Sequence, residues 1–575
     1  MHDTDALFRD IQAAEQSGDA ARRLAAYDRY LQAAPAAGWA WLNAGDAAQK
    51  LGDRRTAESH FHRALATPGF NERHMAHNNL AGLLLGQGQL DSAIEHGQEA
   101  VRLAPDYAIG WWCLGVVLMH AGRFSEGLHA FERATTCGAE VPPALILDAR
   151  RRICRWDGID ALERAVEHDA ATHPERTSPW LLFTLIDLDD IAQRRVAEAY
   201  TQTQYPTPSV RPKPPECGGR KVRLGYLGSD FYDHATTRLL VETIERHDRT
   251  RFEVIGFDTG RQRDDATSQR IRHAFDRCHD LYALSDSEAA AVIVDSEIDI
   301  LIDLKGYTVG ERSGIFALRP AAVQVSYLGW PGTLGAPFID FIIADRIVAP
   351  DPAGFSEKLL YLDCYQPTCR QRQVDPLPSR SALGLPEHAL VLGSMNAAWK
   401  LTPALFDRWA ELLHQHPDAV LWQLADADCS EGLREEARKR GIERQLILAP
   451  RVEQPAHIAR LAHIDLALDT FPCGGHTTTS DLLWAGAPVL TLRGDNFCGR
   501  VAASLVSAAG LPELVASNPT DYLRKAQALL ADRARLHALK ETLLDAGRHS
   551  LLFDNVRYTR QFEQALLSTL DTDKI

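Results

Sequence analysis

Apolar and small residues recur over residues 1–140 in paired amphipathic segments. Trp41, Gly45, Gly52, Ala57, Phe61 and Ala64 are matched 36 residues later by His77, Ala81, Gly88, Ala93, Gly97 and Ala100. A further step of 34 residues reaches Trp111, Gly115, Gly122, Gly127, Phe131 and Ala134. Small residues where two helices touch, a glycine at their turn and a proline such as Pro105 after the second helix predict a stack of helical hairpins. A weaker copy ends at Pro35. The pattern predicts a short right-handed solenoid over 1–140, with an inner face suited to an extended peptide.

Residues 141–205 keep helical periodicity but lose the repeat, and they are read as a helical adaptor. Tyr205 to Lys221 (YPTPSVRPKPPECGGRK) carries five prolines and a glycine pair, which deny both helix and central strand, so it is read as a linker. Beyond it the texture changes to short apolar β-branched runs alternating with helical segments. VRLGYLGS, FEVIGFD, IDILIDL, VQVSYLG and FIIAD form one set; ALVLGSM, AVLWQLA, LILAP, LALDT and PVLTL form a second after a proline-punctuated break. Fully apolar strands between helices predict parallel sheets covered on both faces. The prediction is two Rossmann-like lobes, 206–382 and 383–575, in an α plus α/β chain. Ligands of such sheets sit beyond the carboxyl ends of the strands, so the loops there hold the candidate chemistry.

Composition narrows the partners. The 575 residues carry a net charge of −15, which gives no basic field for nucleic acid or an anionic membrane. The polar, acidic start lacks the features of a secretory signal and no apolar run reaches spanning length, so a cytoplasmic protein is expected. Ten scattered cysteines without a CxxC pair or histidine couples predict buried thiols rather than disulfides or structural zinc.

The most informative loop is Cys473 to Asp481, CGGHTTTSD, between LALDT and a predicted helix. Free N–H groups and the positive end of a helix make an anion site, and glycines let a phosphate approach the backbone. One helix cap needs one hydroxyl. Four in a row beside Gly-Gly and His476 favour a nucleotide diphosphate, held by Thr477 and Thr478, with Asp481 one turn inside for a sugar diol. Thr479 and Ser480 are expected on the helix surface. Lys400 ends another strand-to-helix loop, where it either neutralises a pyrophosphate or is a solvated charge. Val452, His457 and Arg460 surround the start of a helix after LILAP, and the last two share a face. His234 follows the first strand of the first lobe and is read either as a general base or as a helix-capping neighbour. His279 is a further candidate. Gly329 and Pro331 lie in YLGWPGTLG, a loop with bare backbone for a sugar pocket, and DLKGYTVGER has the same character. Asp426 and Asp428 form a DxD sequence, the pattern by which many glycosyltransferases hold manganese; a lysine and a helix dipole can serve leaving phosphates instead, and no metal is expected.

LGWPGTLGAPFIDFIIAD, SMNAAWKLTP and HIARLAHIDLALDTFPCGGHTTTSDLLWAGAPVLTLRGDNFCGRVAAS together resemble the protein O-linked N-acetylglucosamine transferases, which also carry N-terminal tetratricopeptide (TPR) repeats. The similarity runs from about Arg220 onward. It implies a GT-B fold, UDP-N-acetylglucosamine (UDP-GlcNAc) as donor, protein or peptide acceptors guided by the TPR groove, inversion at the anomeric carbon and no metal or other cofactor. By matching positions it implies that Lys400, Thr477 and Thr478 contact the diphosphate, that His457 stacks near uracil with Arg460 beside it, and that Asp481 holds the ribose. Cys473 and His476 keep motif positions, Gly329 and Pro331 border the sugar, and His234 and His279 match suggested bases. Ala397 and Gln454 depart from the pattern, which has glutamine and lysine there. Two alternatives follow: a GT-B transferase with another donor or a non-protein acceptor, and a TPR scaffold that binds UDP without turnover.

Overall fold

The computed structural model describes residues 4–205, 219–545 and 549–570, and the chain separates into two compact units, 1–150 and 151–575. Most of the proline-rich segment read as a linker lies outside the described residues.

The first unit stacks four helical hairpins: α1 (Thr4–Ser17) with α2 (Ala20–Ala33), α3 (Gly38–Lys50) with α4 (Arg54–Ala66), α5 (Arg73–Gly86) with α6 (Leu90–Leu103), and α7 (Ala108–His120) with α8 (Phe124–Thr136). The degenerate copy is α1–α2. The small positions have a steric cause: a Cβ on Gly45 would lie 2.5 Å from the Phe61 ring, and one on Gly115 2.5 Å from the Phe131 ring. Gly52, Gly88 and Gly122 turn the last three hairpins at φ of +77°, +68° and +74°, where an L side chain is strained. The 36-residue step arises between α4 and α5, whose connection is longer than those joining α2 to α3 and α6 to α7.

Helix α9 (Pro143–Arg152) spans the boundary between the units, followed by α10 (Ile159–Thr172), α11 (Pro179–Leu185) and α12 (Asp190–Gln204). This adaptor is no mere spacer. Phe183 packs on Trp330 at 5.2 Å between ring centroids, Asp190 pairs with Arg500 at 2.6 Å, and Trp156 meets Phe406 at 5.4 Å.

The first sheet contains β1 (Val222–Gly228), β2 (Phe252–Asp258), β3 (Arg277–Asp280), β4 (Ile300–Asp303), β5 (Val323–Ser326), β6 (Phe341–Ala344) and β7 (Lys358–Tyr361), all parallel in the order β3-β2-β1-β4-β5-β6-β7. Helices α13 (Ala235–Arg246), α14 (Ala266–Ala274), α15 (Asp286–Asp295) and α16 (Ser313–Ala317) connect its strands. The second sheet contains β8 (Leu390–Ser394), β9 (Ala419–Leu424), β10 (Leu446–Ala449), β11 (Leu466–Leu468), β12 (Val489–Leu492) and β13 (Val515–Ala516), again parallel, in the order β10-β9-β8-β11-β12-β13. Its helices are α17 (Pro403–Gln415), α18 (Ala427–Lys439), α19 (Gln454–Leu461), α20 (Thr477–Trp484), α21 (Phe497–Ala508), α22 (Pro519–Ala531) and α23 (Arg533–Asp545). Strands β3, β7 and β13 fall outside the sequence reading; each is a short strand at a sheet edge.

Strand order reverses between β1 and β4 and between β8 and β11. These are the switch points of doubly wound sheets, where the loops part and leave a crevice. The loops bearing His234, Lys400 and CGGHTTTSD all leave switch-point strands. A last helix, α24 (Asn555–Leu567), does not stay with the second lobe. Its Tyr558, Phe562 and Leu566 complete the core of the first, and Tyr558 Oη lies 2.5 Å from Tyr327 Oη.

Candidate active site

The loop after β11 is held from below by a buried carboxylate absent from the motif reading. Asp469 accepts from the Gly475 amide at 2.7 Å, Asn396 Nδ2 at 2.9 Å and Thr491 Oγ1 at 2.6 Å. Burial raises its pKa against these donors. Gly475 leaves no space: a Cβ would stand 2.5 Å from Thr479 Oγ1 and 3.1 Å from Asp469 Oδ1. Lys400 donates to the Gly474 carbonyl at 2.5 Å. Partial burial lowers its pKa, but Cys473, Cys498 and Asp469 outweigh that and hold the ammonium above its ordinary value. Lys400 is thus cationic and tied to the loop, which separates it from a solvated surface charge. Cys473 and Cys498 are thiols with sulfurs 3.3 Å apart, and every described cysteine is free.

Helix α20 starts with no side-chain cap, as do α18 and α19, whereas α17, α21 and α22 are capped by Thr402, Asn496 and Asn518. The hydroxyls of Thr477 and Thr478 make no hydrogen bond among the described residues and remain half-buried at the loop. An uncapped helix start beside two glycines and an ammonium forms an anion cradle. His476 lies 3.2 Å through Nε2 from the Cys498 carbonyl, and burial followed by Lys400 depresses its pKa to about 3, so it is neutral and donates there. The structure corrects one expectation. Thr479 and Ser480 are buried, not surface residues, and Ser480 Oγ lies 3.2 Å from Thr368 Oγ1 on the segment crossing between the lobes.

One turn along, Asp481 is buried and both its oxygens are engaged: Arg372 Nη1 donates to Oδ1, and Gln454 Nε2 to Oδ2 at 3.0 Å. Gln454 accepts in turn from Arg238 of the first lobe at 2.9 Å. Arg460 is buried over Trp422, donates to the Pro450 carbonyl at 2.7 Å and lies 2.9 Å from His457 Nδ1. Burial lowers Arg460 to about 10, still cationic at neutral pH. Burial and then Arg460 lower His457 to about 4, so its imidazole is neutral and Nδ1 accepts from the guanidinium. Arg460 therefore positions the His457 ring. Val452 is an exposed neighbour at the same loop.

In the first lobe, the ring of His234 faces two partners through Nδ1: the Thr236 amide at 3.3 Å and Asp230 Oδ2 at 3.4 Å. Both sequence readings survive as alternative tautomers. With the proton on Nε2 the ring caps α13; with the proton on Nδ1 directed at Asp230, Nε2 is an acceptor suited to a general base. Burial, then Lys305, Arg238 and Arg263 against Asp230, lowers its pKa. Lys305, buried after β4, sits 2.8 Å from Asp230 Oδ2 and was not singled out in DLKGYTVGER. Its only sequence signal is a lysine at the carboxyl end of a fully apolar strand.

His279 does not join this cluster. It sits on edge strand β3 opposite Phe257, stacked at 5.4 Å, with burial lowering its pKa. The loop YLGWPGTLG is mostly packed. Gly332 and Gly335 let Phe183 and the Ala197–Glu198 backbone close on it, Pro331 is buried, and Gly329 passes so close to the Leu304 carbonyl that a Cβ would lie 2.0 Å away. Gly329 is the half-exposed member. Asp426 of the DxD sequence is taken by Arg451 at 2.6 Å.

A cavity of about 470 Å³ lies between the lobes, lined by Asp233 and Arg238 from the first and by Gln454, Thr477 and Asp481 from the second, with Arg372 from the crossing segment. It thus joins the residue next to His234 to the diphosphate and diol candidates.

Comparison with known proteins agrees with this geometry. The family model described as glycosyl transferase family 41 matches residues 200–366 and 368–562, and a tetratricopeptide repeat model matches 42–108. The probable UDP-N-acetylglucosamine–peptide N-acetylglucosaminyltransferase SEC of Arabidopsis thaliana is 34% identical over 382 residues, covering 64% of this chain and 39% of that protein. The UDP-N-acetylglucosamine–peptide N-acetylglucosaminyltransferase of Caenorhabditis elegans is 27% identical over 468 residues, covering 60% and 40%. The chain thus spans about two fifths of these curated relatives. A solved mutant of the Thermobaculum terrenum O-GlcNAc transferase superposes with a TM-score of 0.62 at 26% identity, covering 99% of this chain and 98% of that one.

Proposed function

Because the chain belongs to glycosyltransferase family 41, we propose that it is an inverting, metal-independent transferase that moves N-acetylglucosamine from UDP-GlcNAc to Ser or Thr hydroxyls of proteins. The observation that carries this reading is the anion cradle formed by Lys400, Gly475 and the uncapped start of α20, one turn from the buried Asp481. In this mechanism the acceptor hydroxyl attacks the anomeric carbon opposite UDP, and charge gathers on the β-phosphate as the glycosidic bond breaks. Lys400 and the α20 amides are already in place to meet that charge, which is how preorganised donors lower a barrier. His234, with Nδ1–H toward Asp230, takes the hydroxyl proton on Nε2.

The reading places the protein in the cytoplasm, acting on protein or peptide acceptors guided by the repeats, with no nucleic-acid or membrane partner and no cofactor. The acidic net charge supports the lack of a nucleic-acid partner; among the described residues no helix is long and apolar enough to cross a membrane. Pairing of Asp426 with Arg451 supports metal independence. A UDP-release assay with UDP-GlcNAc and a peptide library, run with and without chelator, tests it: chelator-insensitive release that depends on peptide is expected, and no release refutes the transferase reading in favour of a UDP-binding scaffold. Ala397 and Gln454 favour a second reading, with a different nucleotide sugar or a non-protein acceptor. A donor panel scored by thermal shift separates the two.

A further inference from the structure

The nucleotide cavity contains a cation that none of the recognised motifs supplies. Arg372 lies on the segment crossing from β7 to β8, and that segment is fixed on both sides: the Arg370 amide donates to Glu242 at 2.6 Å, and the Asp375 amide to the Pro455 carbonyl at 3.2 Å. Arg372 Nε donates to the Cys369 carbonyl at 3.0 Å, Nη1 pairs with Asp481, and the guanidinium lies 5.4 Å from the Trp484 ring centroid. Nη2 has no hydrogen bond among the described residues, although Arg372 lines the cavity beside Thr477 and Gln454.

Two facts need a common explanation. Position 454, where the family pattern has lysine, is a neutral Gln454 that spends its amide on Asp481 and Arg238. The carboxylate of Asp481 is nevertheless compensated by a cation, delivered from another part of the chain. An ionised carboxylate offers about four acceptor sites. Arg372 and Gln454 occupy one on each oxygen, so a ribose diol can still be received. A guanidinium with one nitrogen committed and another open is a fork that bridges a carboxylate and a second ligand group.

We propose that Arg372 is a nucleotide-binding residue, which fixes Asp481 through Nη1 and offers Nη2 to the ribose-phosphate portion of a nucleoside diphosphate, in place of a lysine at 454. The inference rests on the reading of this cavity as the donor-nucleotide site. It places one determinant of donor affinity on the interlobe crossing, where cavity shape and lobe position are set together.

The test is calorimetric titration of the full chain with UDP and with uridine. Arg372→Met is expected to weaken UDP on the order of tenfold or more, the size of a lost hydrogen bond to a charged group, and uridine less. Adding Gln454→Lys to Arg372→Met is expected to restore most of the loss, which a purely structural role for the ion pair does not explain. Wild-type UDP affinity in Arg372→Met, or no recovery in the double variant, overturns the proposal. Should Arg372→Met not fold, Arg372→Lys against Arg372→Gln gives the same decision: tighter UDP binding by the lysine variant supports it and equal affinity overturns it. A wild-type chain that binds none of UDP, ADP, GDP and CDP refutes the nucleotide-site reading itself; binding by wild type and by Arg372→Met alike refutes only the role of Arg372.

Discussion

Lys305 Nζ lies 2.8 Å from Asp230 Oδ2, the oxygen that also faces His234 Nδ1. A buried lysine without a partner is costly, and here its partner is the carboxylate that orients the candidate base. The ammonium works on His234 with the opposite sign to Asp230, and together with burial it keeps the imidazole neutral below its ordinary pKa.

The acid limb of kcat/KM against pH is therefore expected below 6.5 in the wild type. Lys305→Met removes a cation that lowers the His234 pKa, so the limb is expected to move to higher pH. A profile unchanged by Lys305→Met and abolished by neither His234→Ala nor Asp230→Asn would assign the proton to a substrate phosphate oxygen instead.

Lys400→Ala is expected to reduce turnover on the order of 100-fold or more, as for loss of one preorganised oxyanion donor. The thermal transition is expected to change little, because the lysine bonds to the Gly474 carbonyl of a loop separately held by Asp469. Single-turnover kinetics with saturating donor measures the chemical effect apart from binding.

Glycine substitutions separate cradle from scaffold. Gly475→Ala drives a methyl against Thr479 Oγ1 and the Asp469 and Asn396 oxygens, and is expected to cost about 1–3 kcal/mol, the usual range for overpacking, together with UDP affinity. Gly82→Ala, inside α5 with nothing within 4 Å of the added Cβ, is expected to gain up to about 1 kcal/mol from helix propensity. Chemical denaturation of both variants checks the contrast.

His457 and His476 predict a pH-dependent stability. Both are held neutral in the fold, with pKa values of about 4 and about 3, whereas the unfolded chain takes up these protons near 6.5. At these two sites the folded state thus binds fewer protons across that interval, so their contribution to stability falls as the pH drops from about 6.5 toward 4 and is level above it, while Asp258 and Asp303, raised by burial to about 6, contribute with the opposite sign. Melting temperatures measured in parallel are expected to show the wild type losing stability relative to His457→Asn or His476→Gln as the pH falls across this range.

Much of this arrangement was legible in the sequence because its cause is local. Gly45 and Gly115 recur because an aromatic ring presses on each, and Lys400 and Thr477 stand out because they follow strand ends. What escaped was defined by partners distant in the chain. Asp469, Lys305 and Arg372 are charges whose meaning comes from Gly475, Asp230 and Asp481, and no period or motif marks such pairings. Thr479 and Ser480 were misplaced for the same reason: one face of α20 was taken as solvent, but both are buried, Ser480 against the interlobe crossing and Thr479 against Gly475.

Helix α24 has a consequence for how the protein is made. A ribosome that has finished β7 has built the whole first sheet but not the Tyr558, Phe562 and Leu566 side chains that close its core. The entire second lobe must be translated first, a delay of about 10 to 40 s at ordinary elongation rates. Throughout it, the apolar seat of that helix around Tyr327 faces solvent or a chaperone. The two lobes have separate sheets but are a single unit in biosynthesis, and the first, expressed without residues 555–567, is expected to aggregate rather than fold.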